Sequence, residues 1–536
     1  MSPLLFLILL PFVAALFIMV GAPARFTALL ATGLNLLLAI FLFSHYDRAL
    51  GGWQYIQETP VLPSLKLNFL LGADGLSLTM LLLATLVSFS ALWVSPQLDQ
   101  IRPFLKLADA DEVQGVDGAE KLSVQELLDA SSTGATKQFT AEVEFGKGAV
   151  KRSSSLFYVC LLLISGGVIG AFAAMDAFFL YAFHEIALIP VFIMIGLWGS
   201  GDRQAAAWKA TLYLGTGSFV VLLGIVALYV GIPSSIRTFD LRSLAQMSQT
   251  GIIHPASWIY LLFLFGFGTL VSLFPFHSWA PATYASAPPP TAMLHAGVLK
   301  KFGLYGLLRL ALPVFPEAVA HFTPLLLCLL VGNILYVGYV TLAQRRLDWT
   351  IAYSSVMHMG TIFLGLAAMN LLSLSGATLL MFAHGVSVAA LFALSGALRQ
   401  RTGTLEYSEL GGLAKVAPTM SLFFGFATMA SIGLPGLANF AGEILIFFGA
   451  TAAAVINHGS LGFTLATIAA VWGVVLSAVY MLRAYRAVFF GSLVERWKDM
   501  PDLSRSEFWA ILLLIVTLVV VGVFPRVLLQ MVTTAF

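Results

Sequence analysis

Leu273-Phe274-Pro275-Phe276-His277 and Gly433-Leu434-Pro435-Gly436 decide the architecture. Each sets a proline inside a stretch otherwise apolar enough to cross a membrane. Proline removes a backbone donor and its ring clashes with the preceding turn, so a helix breaks there. At membrane depth, freed backbone groups are tolerated only inside protein or beside a water-filled cavity. One such proline reads as a packing kink. Two at corresponding positions of two halves point to an inverted repeat with an ion site at its interface.

Outward from the breaks, the chain divides into apolar runs of the roughly 20 residues that a helix needs to cross hydrocarbon. They are 3–21, 26–45, 74–95, 155–174, 177–198, 209–231, 257–275, 289–311, 323–343, 349–369, 371–397, 418–449, 462–487 and 508–530. The breaks fall fourth in the five-helix set 155–311 and fourth in the set 323–487. The expected fold is all-α: a polytopic membrane protein of about fourteen transmembrane helices, with two inverted five-helix repeats, each containing a broken helix. The expected divisions are N-terminal spans to 96, a charged insert at 97–152, repeats at 153–311 and 312–490, and a C-terminal loop and helix from 491.

Composition agrees. Hydrophobic residues make up 59% and charged residues 10%, where soluble domains have about 45–50% and 25%. So few charges cannot cover a soluble protein of this size, and the bulk solvent is lipid. No basic stretch with interleaved aromatics points to nucleic acid. Cys160 and Cys328 lie in apolar runs and cannot alone form a metal or iron–sulfur site. With no phosphate loop, flavin motif or cysteine cluster, no cofactor or metal is expected in this chain. The run Met1 to Val20 lacks a basic flank and reads as a retained first helix.

Orientation follows from Lys and Arg in short loops. With the N-terminus outside, inner loops carry Arg25, Arg203, Arg345, Arg346, Arg399, Arg401, Lys415, Arg483 and Arg486, among others. Outer loops carry chiefly Arg48, Lys66, Arg237 and Arg242. The expected location is the cell inner (plasma) membrane, with both termini non-cytoplasmic. Residues 97–152 hold ten acidic and seven basic residues and read as a cytoplasmic docking element.

Ionisable residues at the bilayer centre are unfavourable by at least about 2.5–3.5 kcal/mol on insertion scales, and by default they mark an ion pathway or a buried pair. Glu185, Lys300, Lys301 and Glu443 sit in mid-span, and His295, His358 and His384 also lie within spans. A lone membrane histidine is more often a hydrogen-bonding core residue than a proton carrier; His358 is the exception singled out. Lys209, near a helix end, reads equally as a snorkelling lysine. Burial favours the neutral form of either a carboxyl or an amine. Each then gains and loses a proton readily, and a moving charged partner switches it.

At these residues the chain resembles the M-type antiporter-like membrane subunit of NADH:quinone oxidoreductase, respiratory complex I. The matching stretches are Leu71-Gly72-Ala73-Asp74-Gly75-Leu76-Ser77, the Glu185 helix ending Ile195-Gly196-Leu197-Trp198-Gly199, and His277-Ser278-Trp279-Ala280-Pro281. Further matches are Ala296-Gly297-Val298 to Gly306, Ala352-Tyr353-Ser354-Ser355-Val356-Met357-His358-Met359-Gly360, Gly433 to Glu443, and Arg486 with Phe490-Gly491. Each is weak alone; in order they are strong. The resemblance implies a proton-translocating subunit without a redox centre, with Glu185, Lys301 and Glu443 at proton-path positions. The partners it implies are other membrane-arm and hydrophilic-arm subunits, and quinone is reduced elsewhere.

The departures open alternatives. The family usually has a lysine seven residues before the histidine matching His277; here that residue is Leu270. A tryptophan usually precedes the glutamate matching Glu185; here it is His184. Lys300 is an added lysine, and Arg346-Leu347-Asp348 reverses the usual acid-then-lysine order. Leu270 supports a structural subunit that no longer pumps. A cation/proton antiporter, membrane hydrogenase or inorganic-carbon uptake complex is a further alternative. If protons bypass Leu270, Lys300 is the favoured substitute over His295. At 3.6 residues per turn, the two lysines point about 100° apart, and His295 lies about 140° from Lys300 and about 120° from Lys301. His295 is therefore expected to share a face with neither.

Overall fold

The computed structural model describes residues 2–95, 147–456 and 460–536. Of the charged insert expected at 97–152, residues 97–146 and their docking role lie outside the described residues. Residues up to Val94 and from Tyr158 onward form one compact unit.

The principal helices are α1 (Pro3–Met19), α2 (Ala24–His45), α3 (Gly75–Val94), α4 (Lys147–Ala173), α5 (Ala177–Trp198), α6 (Arg203–Gly231), α7 (Ser257–Val271) and α8 (Trp279–Ser286). After them come α9 (residues 289–314), α10 (Pro316–Leu342), α11 (Leu347–Ala367), α12 (Leu371–Thr402), α13 (Pro418–Ile432), α14 (Ala438–Ile456), α15 (Leu461–Phe489) and α16 (Arg505–Val523). Among the described residues, eleven helices are long and apolar enough to span a membrane, and α1, α7 and α13 are shorter apolar helices. The sequence-based figure of about fourteen spans is larger because it also counts α1, the interrupted α9 and the α7–α8 break as crossings. One departure from an all-helical chain is the antiparallel hairpin Gln54–Leu62 with Leu67–Ala73.

Each broken helix packs the same way in its set. The third helix of the set lies along both halves: α6 along α7 and α8, α12 along α13 and α14. The fifth runs beside the fourth, α9 on α7 and α15 on both α13 and α14. Five crossings leave a chain on the side opposite its start, so two successive five-helix sets are inverted relative to one another.

The core is formed by α3, α11 and α12; the most apolar window of α12 is wholly buried. Peripheral helices turn Phe6, Leu16, Leu37, Leu212 and Trp472 outward, toward lipid. Glycine lets α9 and α12 meet closely: a Cβ on Gly385 would stand 2.6 Å from the Gly297 carbonyl oxygen. Small residues of this kind allow backbone approach between membrane helices. The contact sets His384 beside Lys301.

Both breaks begin before their prolines. Helix α7 ends at Val271, with Ser272 left-handed at φ 70°, and α13 ends at Ile432, with Gly433 at φ 84°. Proline excludes the carbonyl partner four residues earlier and pushes its predecessor out of the helical region. Asn333 satisfies the first break: its Nδ2 donates to the Ser272 carbonyl at 3.0 Å, and its Oδ1 accepts from the Phe274 amide at 2.6 Å. The same Nδ2 reaches the Val356 carbonyl at 3.0 Å, tying α10, α11 and the break together.

Candidate functional site

The buried ionisable residues begin in α9, whose winding is irregular. It is α-helical from Pro289, passes through a π turn at His295–Leu299, and resumes at Lys301. Such π turns concentrate at functional sites. Lys301 is fully buried; its Nζ donates to the Ala296 carbonyl at 3.1 Å and lies 2.9 Å from His384 Nδ1. The His384 ring stands 5.6 Å from that of His358, centroid to centroid. His358 Nδ1 in turn lies 3.8 Å from Glu443 Oε1. The Glu443 carboxylate occupies the space where a Cβ on Gly433 would fall, against the second break. Lys301, His384, His358 and Glu443 thus form a run from α9 through α12 and α11 to α14. All four are buried.

Lys300 points elsewhere. Its Nζ lies 3.3 Å from the Ser355 carbonyl, 3.5 Å from Ser355 Oγ and 5.5 Å from the centre of the Tyr284 ring. It faces neither lipid nor the surface, being 1% exposed. The expected divergence of the two lysines is what the structure contains. The expectation for His295 is corrected. The Lys300 amide bonds to the His295 carbonyl across the π turn, so the widened turn brings the two residues toward one face. His295 meets Tyr284 edge-on at 5.3 Å, and Tyr284 is also the ring beneath Lys300.

Glu185 stands apart from this run. It accepts a hydrogen bond from Ser218 Oγ of α6, and its Oε1 is 3.4 Å from His184 Nδ1. Its side chain is 35% exposed. The link to α9 is His184, which stacks on Phe302 at 3.9 Å, next to Lys301. Lys209 lies in the second turn of α6, half-buried, and makes no ion pair among the described residues. Leu270 is buried near the end of α7.

On the side of the short arginine-bearing loops, Asp348 accepts from Arg399 and from Arg346, the latter at 3.0 Å. The reversed Arg346-Leu347-Asp348 order does form a pair, and the Asp348 carboxylate holds the Arg346 guanidinium above its usual range. Sequence reasoning passed over His384 as one histidine of three and missed Tyr284, Ser355, Ser218 and Asn333. Only the apolar setting of His384 signalled it; a serine, tyrosine or asparagine in a membrane helix carries no such mark.

A family model described as NADH:quinone oxidoreductase/Mrp antiporter, TM, matches residues 174–469. The chain belongs to this family. The region matched in the NADH:quinone oxidoreductase/Mrp antiporter family takes in both breaks and every residue from Glu185 to Glu443. NAD(P)H-quinone oxidoreductase chain 4 2 of Thermosynechococcus vestitus is 33% identical, over 98% of this chain and 89% of the relative. A chain of respiratory complex I from Thermus thermophilus with bound NADH is 28% identical with a TM-score of 0.80, covering 99% of this chain and 98% of that one. A chain of the Mrp complex from Dietzia sp. DQ12-45-1b shares the fold at 17% identity and a TM-score of 0.77, over 99% of this chain and 96% of its own. The family and the apolar helices make this a multi-pass membrane protein, with relatives that are parts of larger complexes.

Proposed function

We propose that this chain is a proton-translocating membrane-arm subunit of a complex I-like NADH:quinone oxidoreductase. The observation that carries the reading is the buried run Lys301–His384–His358–Glu443, which joins the first repeat to the broken helix of the second. Each member exchanges protons, and each touches or faces the next. A proton on Lys301 Nζ passes to the lone pair of His384 Nδ1 across 2.9 Å. Rotation of the imidazoles, or a bridging water, covers the 5.6 Å between the rings. His358 then delivers to the Glu443 carboxylate.

Glu185 is the coupling residue in this scheme. Its partial exposure leaves it open to a neighbouring subunit, and the His184–Phe302 stack transmits its state to α9. Quinone reduction takes place in partner subunits of the membrane and hydrophilic arms, which hold the redox centres. The arginine-bearing loops face the cytoplasm and both termini the other side of the plasma membrane. Leu270 favours a second reading, a structural subunit that no longer pumps; the burial of Lys300 beside the run favours pumping.

The test is proton uptake per electron in the purified, reconstituted complex, with and without Glu185→Gln. The amide keeps the volume but does not titrate. Reduced pumping in a fully assembled complex is expected; pumping equal to wild type overturns the role of Glu185.

A further inference from the structure

Arg486, with Phe490-Gly491, belongs to a stretch of sequence that the proton route leaves without a task. It lies in the last turn of α15, with Arg483 one turn earlier on the same face; both side chains are exposed. Two further exposed cations stand at this helix end. Arg483 donates to the Gln344 carbonyl at 3.1 Å, next to Arg345. Lys415 ends the short turn Leu413–Lys415, which packs on α15. The Gly412 amide ties that turn to the Phe490 carbonyl at 3.0 Å. Among the described residues, none of the four cations pairs with a carboxylate. Asp348, Glu409 and Glu495, on the same side, are taken by Arg346 and Arg399, by Arg496, and by Lys498.

The depth of these groups follows from length. Helix α15 has 29 residues. At 1.5 Å per residue it is about 43 Å long, close to the roughly 40–45 Å of a bilayer with its headgroup layers. Arg483 and Arg486, in its last two turns, therefore stand at headgroup depth. Toward the middle of the membrane the same face continues as Leu482, Val479, Val475 and Trp472, each 43–51% exposed. Steps of three and four residues keep them on one stripe. From Arg483 to Trp472 the stripe covers about 16 Å, which matches half of the roughly 30 Å hydrocarbon core. It ends in a fixed aromatic pair, where Trp472 Nε1 donates to the Tyr339 hydroxyl of α10 at 3.1 Å.

We propose that this face of α15 binds an anionic phospholipid of the leaflet on the arginine-loop side. Arg345, Arg483 and Arg486 hold its phosphate, and one acyl chain lies along Leu482, Val479, Val475 and Trp472. A guanidinium presents a planar fork of donors that matches two phosphate oxygens, and basic pockets at the ends of transmembrane helices recruit anionic headgroups. A helix C-terminus favours cations by its dipole, which accounts for Arg486. It does not account for Arg345 or Lys415, which come from other elements. A water-soluble anion would meet the cations and leave the apolar stripe unused. A phospholipid uses both, and Phe490, 52% exposed, stands beside it as an interfacial aromatic anchor.

The test uses two photoactivatable lipids with the same diazirine-bearing acyl chain, a phosphatidylglycerol and a phosphatidylcholine, each at trace level. They are added to the complete complex in nanodiscs of unlabelled phosphatidylcholine, and labelling is located by peptide mapping. Each arginine is expected to contribute about fivefold, equivalent to ~1 kcal/mol. Labelling of residues 472–482 by the anionic lipid should therefore exceed that by the zwitterionic one by about a hundredfold. Arg483→Gln should lower the anionic labelling about fivefold, and Arg483→Gln with Arg486→Gln about twenty-five-fold. Both side chains are exposed, so neither change strands a buried group; if the double variant does not assemble, Arg483→Gln alone decides. Equal labelling by the two lipids, or a preference that survives these substitutions, overturns the site. Labelling by neither lipid means that a neighbouring subunit covers the face, and loss of the preference in millimolar inorganic phosphate means that the occupant is a free anion. Either result also overturns it.

Discussion

Lys301 Nζ and His384 Nδ1 stand 2.9 Å apart, and neither forms an ion pair with a carboxylate among the described residues. When the lysine is an ammonium it only donates, so Nδ1 must present its lone pair. When the lysine is neutral, the imidazole donates back. The contact therefore holds one proton between two sites, and the Gly297–Gly385 approach keeps those sites in register.

Lys301→Arg separates charge from proton exchange. A guanidinium stays protonated throughout the accessible pH range. The variant keeps a cation beside His384 but cannot release its proton. Assembly is expected to be retained, with a pumping loss of about a hundredfold or more. Proton uptake per electron in vesicles is the measurement; normal pumping in Lys301→Arg removes Lys301 from the route.

Gly433→Ala probes the second break. Gly433 sits at φ 84°, and a Cβ there would collide with the Glu443 carboxylate. The substitution combines an unfavourable left-handed backbone, about 1–2 kcal/mol, with displacement of Glu443 from His358. The expected result is a lower unfolding temperature in detergent together with reduced pumping. If pumping is intact at reduced stability, the position of Glu443 does not matter to transfer.

The spans, breaks and intramembrane charges were legible because the physics behind them is local. Apolar length, proline and a charge out of place each show in a short window. Even the divergence of Lys300 and Lys301 followed from helical geometry. The placement of His295 failed because a π turn changes the angle per residue, and nothing in His295–Leu299 announces one. Asn333 and His384 were obscure for a different reason. Asn333 matters through a break 59 to 61 positions earlier in the chain, and His384 through a lysine 83 positions earlier; a single sequence does not report such pairings. The hairpin Gln54–Leu62 with Leu67–Ala73 lies between the expected spans 26–45 and 74–95, where residues of mixed polarity carry no strand signal strong enough to stand out.

Asn333→Leu should expose what the first break needs. The Ser272 carbonyl and the Phe274 amide lose this partner at once, and the Val356 carbonyl, which keeps its own helix, loses its second one. Each buried group left unpaired costs about 1–3 kcal/mol, and leucine of similar volume offers nothing in return. The expected effect is several kcal/mol, seen as a strong fall in unfolding temperature and poor incorporation into the complex. Asn333→Asp is the informative companion. It keeps the acceptor for Phe274 but not the donor for the two carbonyls, so it should also be destabilised. Stability equal to wild type in either variant would show that the break is held by something other than Asn333.

Asp348 tests whether the charge cluster on the arginine-loop side is structural as well as electrostatic. Its carboxylate is 3% exposed and serves Arg399, itself 14% exposed, and Arg346, which reaches solvent. Removing one partner of a buried pair typically costs about 3–5 kcal/mol, because the other charge remains buried. Arg399 retains Ser200 and the Ala285 carbonyl, and Arg346 is already solvated, so Asp348→Asn should fall at the low end of that range. Replacing both buried partners, as Asp348→Leu with Arg399→Leu, removes the stranded charge and should recover part of the loss, since apolar replacements of a buried pair are often neutral. The thermal stability of the single and double variants gives the coupling directly. A double variant as unstable as the sum of its singles would mean that the Asp348–Arg399 contact contributes nothing of its own, and that each side chain acts through its other neighbours.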